Sequence, residues 1–174
     1  TALVLKCMEL NKIYQGDCLE VMKGIKDKSV DMILADLPYG TTACKWDTII
    51  PFEPLWEQYK RIIKDNGAIV LTASQPFTSA LVMSNPDMFR YELVWEKSRM
   101  TDFFQAKFKP MKTHENIVIF YKKIPTYNPI KWKIDDRFID RRKTFTEHIE
   151  TGMFIGNKKI HKKDDGMRNP MSII

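Results

Sequence analysis

The chain has 174 residues, enough for one domain with a substantial core and too few for two full ones. With 44% hydrophobic residues and only 7 glycines it is not low-complexity, and no apolar run approaches the roughly 20 residues that span a bilayer. The formal charge of +6 is unevenly placed: residues 1–121 carry 15 Lys+Arg against 15 Asp+Glu, whereas residues 122–174 carry 13 against 7, so the whole excess lies in the final third.

The opening Thr1 to Cys7 has no basic leader, long apolar stretch or small-residue cleavage site, which predicts no secretory signal and points to Met8 as a native start. Cys7, Cys18 and Cys44 are an odd count without metal-ligand spacing, so reduced thiols, a cytoplasmic setting and no metal site are expected. Asp17 followed by Glu20 forms a capping-box pattern, and Leu19, Met22 and Ile25 make an apolar stripe, predicting a helix from Cys18 to about Lys26. Val30 to Ala35 reads as a buried strand. It delivers Asp36, Leu37, Pro38, Tyr39 and Gly40 to its carboxyl end, the position where ligands bind in an open α/β sheet.

A second helix is predicted from Pro51 or Pro54, with Leu55, Tyr59, Ile62 and Ile63 on its apolar face and Gly67 as terminator. Ala68 to Thr72 reads as the next strand. Ser74 as N-cap and Pro76 in the first turn start a third helix that runs to about Ser84. Tyr91 to Trp95 and Ile117 to Tyr121 read as an antiparallel strand pair. Between them Lys97 to Lys112 forms a long irregular loop carrying Lys97, Arg99, Lys107, Lys109 and Lys112 among Phe103, Phe104 and Phe108. Alternating strands and helices predict a three-layer α/β arrangement of the nucleotide-binding kind. Beyond Pro125 to Pro129, which reads as a boundary, little regular structure is expected in residues 131–174.

The chemistry concentrates around Asp36. A carboxylate can accept from an exocyclic amino group, Pro38 stiffens the turn, and the flat ring of Tyr39 can face a base, a set that suits adenine. Taken alone, the same residues also fit a turn cap and a surface aromatic. Lys45 and Trp46 follow on the next segment, where Lys45 can meet phosphate and Trp46 can cover a base or pack in its loop. His114 lacks a nucleophile or acid at a recognisable spacing, and its place at a strand start favours a structural role.

These motifs carry a resemblance. Gly16-Asp17-Cys18, Ala35 to Gly40, Ser74-Gln75-Pro76-Phe77 and His114-Glu115-Asn116, in this order, resemble the DNA methyltransferases that modify exocyclic amino nitrogens, particularly phage and prophage adenine-N6 enzymes, over most of residues 11–129. The family's usual tetrapeptide is Asp-Pro-Pro-Tyr; here Leu37 replaces the first proline and keeps the backbone carbonyl that the family uses. The resemblance implies a partial Rossmann-like, S-adenosylmethionine-dependent methyltransferase sheet, with residues 8–121 as an incomplete catalytic core and residues 122–174 as a basic target-recognition region. Asp36, Leu37, Pro38 and Tyr39 would then be catalytic, and Asp17, Cys18, Asp36 and Ser74 would line the S-adenosylmethionine site. DNA would meet Lys45, Trp46, Arg99, Lys107, Lys109, Lys112, Arg141 and Arg142, although the cluster Asp140 to Lys143 also fits an exposed helical face.

By the same resemblance, the reaction is transfer of a methyl group to an adenine flipped out of DNA, a step that costs a few kcal/mol. The family's Phe-x-Gly-x-Gly segment, which binds the methionine part of the cofactor, is not found in the sequence. A truncated chain, a second chain or self-association would account for that. Two alternatives are a catalytically incomplete DNA-binding module and a cytosine-N4 methyltransferase, the latter disfavoured because that branch usually has Ser where Asp36 stands.

Overall fold

A computed structural model describes residues 8–101, 103–133 and 165–172, and residues 145–151 and 154–160 by their backbone. By its internal contacts the chain divides into two units, Thr1–Thr126 with Ser172–Ile174, and Tyr127–Met171.

The first unit opens with α1 (Cys18–Met22), capped by Asp17, whose Oδ1 accepts from the backbone N–H of Leu19 at 2.8 Å. This helix is shorter than the predicted span to Lys26. Past Met22 the backbone tightens, with Ile25 N–H donating to the Met22 carbonyl at 2.9 Å, and the Arg61 guanidinium donates to the carbonyl oxygens of Met22 and Ile25, both at 2.7 Å. Strand β1 (Val30–Asp36) follows as expected, then α2 (Phe52–Ile62), whose buried face is Leu55, Trp56, Tyr59 and Ile62.

Gly67 does not end this helix. The chain is already extended at Ile63, with ψ of 140°, and runs directly into β2 (Ile63–Ala73). Gly67 lies inside that strand, where a Cβ would approach the Asp31 carbonyl oxygen to 2.8 Å, so the glycine permits close approach of β1 and β2. Helix α3 (Phe77–Ser84) is also capped differently from the prediction: Pro76 is its N-cap residue, without a side-chain cap, and Ser74 contributes its carbonyl, which accepts from Thr78 N–H at 3.1 Å.

Strands β3 (Phe89–Thr101) and β4 (Lys112–Phe120) form the expected antiparallel hairpin but reach much farther than predicted, shrinking the irregular loop to residues 102–111 around a 3-10 turn at Phe103–Gln105. The four-stranded mixed sheet has the order β1-β2-β4-β3, with β1 parallel to β2 and the remaining neighbours antiparallel. Asp36 pairs with Thr72, and Thr72 with Ile117.

On one sheet face Ile33, Ala35, Ile69, Leu71, Val118 and Phe120 pack with Met22 of α1 and with the apolar faces of α2 and α3. Trp56 lies edge-on to Phe120, with ring centroids 4.8 Å apart, and donates its indole N–H to Ser84 Oγ at 2.7 Å. The opposite face carries Met32 and Leu34, which are 54% and 65% exposed, and Tyr91 and Trp95 are also open. The mixed α/β sheet is therefore present, but of the three predicted layers the described residues supply the sheet and one helical layer. Strand β1 is an edge strand among them.

In the second unit, β5 (Trp132–Lys133) pairs with β8 (Met167–Arg168), and β6 (Phe145–Thr151) pairs antiparallel with β7 (Phe154–Ile160). This hairpin stands where little regular structure was predicted. Its threonines, isoleucines and phenylalanines favour extended backbone despite the interspersed charges. No helix among the described residues is long and apolar enough to cross a membrane.

Candidate active site

Parallel pairing of β1 and β2 brings Asp36 and Thr72 side by side at the carboxyl ends of their strands. Thr72 Oγ1 donates to Asp36 Oδ1 in a short hydrogen bond. The Tyr39 hydroxyl returns from the turn to lie 3.0 Å from the same Oδ1 and 2.9 Å from Thr72 Oγ1, so its single proton can serve either acceptor. Both contacts converge on Oδ1. Asp36 is exposed, and its Oδ2 has no hydrogen-bond partner among the described residues, leaving one carboxylate oxygen fixed and the other open to a donor.

Tyr39 is half-buried with one ring face against Phe77, at 5.3 Å between centroids and 28° between planes, and Phe77 in turn meets Phe52 at 5.7 Å. Burial, the principal cause, with the nearby negative charges of Asp36 and Glu115, pushes the phenol well above its ordinary value, so Tyr39 is a neutral hydrogen-bonding group. Leu37 turns its side chain into the core and is buried, which anchors the backbone between Asp36 and Pro38.

The segment after the turn is pinned by Asp47. Its carboxylate accepts from the backbone N–H groups of Gly40, Thr41 and Thr42 at 2.8, 2.9 and 2.7 Å, and from the Thr42 hydroxyl at 2.8 Å. The Thr42 hydroxyl and then the Gly40 N–H are the main causes that hold the Asp47 carboxyl down to about 2. Gly40 takes φ of 66° and lies so close to Ile49 that a Cβ would meet Ile49 Cγ1 at 2.9 Å. Trp46, 74% exposed, and the exposed Lys45 ride on this pinned loop.

Among the residues predicted for cofactor, Ser74 accepts from Lys112 Nζ through its hydroxyl, which joins a predicted cofactor residue to a predicted DNA residue. Asp17 is engaged as the α1 cap, and Cys18 is an exposed free thiol whose pKa is raised, first by partial burial and then by the charge of Asp17. Arg99 stands exposed near the end of β3, and Lys107 and Lys109 lie in the hairpin loop. Lys97 bonds instead to Glu115 on β4. Arg141 and Arg142 lie outside the described residues. No group of three or more His, Cys, Asp or Glu side chains among the described residues is arranged to hold a metal ion.

Sequence reasoning left three residues without a role. In the sequence Thr72 is only a strand end, Phe77 only part of a matched motif, and Asp47 carries no assignment. An aspartate able to accept from backbone N–H groups of a turn is the only local signal for Asp47; Thr72 carries none.

No family model matches the chain. Among curated relatives, it is 23% identical to type II methyltransferase M1.MboII of Moraxella bovis over 80% of this chain and 57% of that protein. It is 27% identical to M2.MboI of the same organism over 55% and 44%, and 29% identical to M.HinfI of Haemophilus influenzae over 51% and 32%, both likewise type II methyltransferases. The chain thus spans between about a third and a little over half the length of these relatives. Among solved structures it is similar to the M1.HpyAVI-SAM complex, at 18% identity and a TM-score of 0.48, over 63% of this chain and 55% of that one. It is similar also to the cytosine-N4-specific PvuII DNA methyltransferase, at 12% identity and a TM-score of 0.48, over 64% and 49%. The resemblance carried by the sequence motifs agrees with the relatives, which are type II methyltransferases.

Proposed function

We propose that this chain carries the catalytic turn and a DNA-facing surface of a methyltransferase that moves a methyl group from S-adenosylmethionine to N6 of an adenine flipped out of DNA. The observation that carries this reading is the asymmetry of Asp36: Oδ1 is fixed by Thr72 and Tyr39, and Oδ2 is open at the strand end. An exocyclic amine has two hydrogens to donate. Asp36 Oδ2 accepts one and the Leu37 carbonyl the other, which draws the nitrogen lone pair out of the ring and aims it away from the carboxylate.

Attack by that lone pair forms the N–C bond as the C–S bond breaks, and the amine then loses a proton to Asp36 or to solvent. Tyr39 holds the base by its free ring face, the other face being taken by Phe77. Stacking of this kind is worth about 1–3 kcal/mol and offsets part of the cost of flipping.

S-adenosylmethionine supplies an electrophilic methyl group when bound. The acceptors present suit its adenosine portion: Asp17 and Ser74 offer oxygens to amino and hydroxyl donors, Cys18 offers a neutral thiol beside Asp17, and the Asp36 charge suits a sulfonium. Lys45, Trp46, Arg99, Lys107, Lys109 and Lys112 face the DNA in this reading, with Arg141 and Arg142 as further cations. The open edge of β1 and the exposed Met32 and Leu34 favour completion of the sheet by further polypeptide, from another segment or a second copy. Free Cys18 and Cys44 accord with a cytoplasmic protein.

The test is transfer of labelled methyl from S-adenosylmethionine to mixed-sequence DNA, followed by nucleoside analysis. Label in N6-methyladenine, lost in Asp36→Ala with DNA affinity retained, supports the proposal. Label in cytosine, or undiminished transfer by the variant, overturns it.

A further inference from the structure

The hairpin of β3 and β4 overhangs the end of the sheet where Asp36 lies. Strand β4 pairs with the last residues of β2 through Asn116 and Ile117, opposite Ala73 and Thr72. It begins four residues before Asn116, at Lys112, and that length of strand reaches roughly 13 Å past the end of β2. The tip at residues 102–111 therefore stands beyond the catalytic end.

That tip is built to display rings. Phe103, Phe104 and Phe108 are 66%, 100% and 88% exposed, although a phenylalanine is ordinarily among the most buried side chains. The turn beneath them is ordered by backbone bonds: Ala106 N–H donates to the Phe103 carbonyl at 3.2 Å, and Phe108 and Lys109 N–H groups donate to the Gln105 carbonyl at 2.9 and 3.0 Å. Lys107 and Lys109 lie in the tip and Arg99 stands exposed on β3 beside it, whereas Lys97 is paired with Glu115 and Lys112 with Ser74. Exposed aromatics interleaved with cations match a polyanion that also has flat apolar faces.

We propose that this tip is a base-stacking wedge, with Phe104 and Phe108 seated against DNA bases beside the target while the neighbouring cations hold the backbone phosphates. The inference rests on the DNA-directed reading of the site and adds to it the element that engages the stack. Wholly solvated rings contribute nothing to the core, so replacing them leaves folding intact.

The experiment compares the full chain with the double variant Phe104→Ala, Phe108→Ala and with Phe104→Trp, using a short mixed-sequence duplex and, as a polyanion without bases, inorganic polyphosphate. The double variant should bind the duplex about tenfold more weakly, with polyphosphate affinity, salt slope and denaturation midpoint unchanged. The tryptophan introduced at position 104 should be quenched by the duplex and not by polyphosphate. Equal duplex affinity of the double variant overturns the wedge, as does an unquenched tryptophan. So does a preference for phosphatidylserine vesicles over duplex that the double variant loses, since the rings would then serve a lipid surface. Ring-dependent duplex binding keeps the wedge whether or not the chain alone transfers methyl; transfer with ring-independent binding keeps the enzymatic reading and overturns the wedge.

Discussion

Asp36, Thr72 and Tyr39 divide their work by atom: two hydroxyls converge on one carboxylate oxygen, so the other has a fixed direction without being occupied. On the proposed reading, Asp36→Asn, which keeps the shape and removes the charge, should lose methyl transfer while DNA affinity stays near that of the parent chain, checked by parallel transfer and binding assays. Thr72→Val deletes one hydrogen bond to a charged group and should lower kcat about 10–100-fold with little change in KM for DNA. Asp47 offers a pH signature. Its folded carboxyl is held to about 2 against an ordinary 3.8, so its stabilisation is fully present above pH 3.8 and is lost as pH falls through 2. The denaturation midpoint should fall across that window in the parent chain and show a smaller slope there in Asp47→Asn. Asp36 and Tyr39 were legible in the sequence because they lie three residues apart at the end of one apolar run. Thr72 was not, because its partner lies 36 residues away and only strand register brings the two together.

The elements follow their sequence signals where burial is one-sided and depart from them where a tertiary partner intervenes. Helix α2 was readable from the spacing of Leu55, Tyr59 and Ile62, but its end was misread at Gly67 because a glycine serving strand approach looks the same as one serving helix termination. Helix α1 stops at Met22, where the backbone tightens to i→i+3 bonds and Arg61, 39 residues on, donates to the Met22 carbonyl, a partner no local signal announces. The length of the β3–β4 hairpin was hidden by its polar, cationic far half, whose pairing comes from backbone bonds rather than buried side chains. Phe120, fully buried between Trp56 and Phe89, is the joint of helix layer and sheet, so Phe120→Ala should cost about 3–5 kcal/mol in a urea titration monitored by far-UV circular dichroism.

At the scale of the molecule, two halves of the sheet surface have opposite characters. One face closes over α2 and α3; the other leaves Met32 and Leu34 open beside β1, an edge strand among the described residues. On the proposed completion of the sheet by a second copy, Met32→Lys with Leu34→Lys should reduce self-association in sedimentation experiments while leaving the denaturation midpoint nearly unchanged, because neither residue belongs to the packed core. The C-terminal strands were not legible, because their apolar residues are interspersed with charges. The edge beside Asp36 also bears on kinetic order. A chain whose reaction centre is finished by another molecule has a specific activity that climbs with its own concentration and vanishes on dilution, until the missing piece is supplied in trans. A self-sufficient chain gives the same turnover per molecule at every dilution, so a dilution series measures directly what that open strand is for.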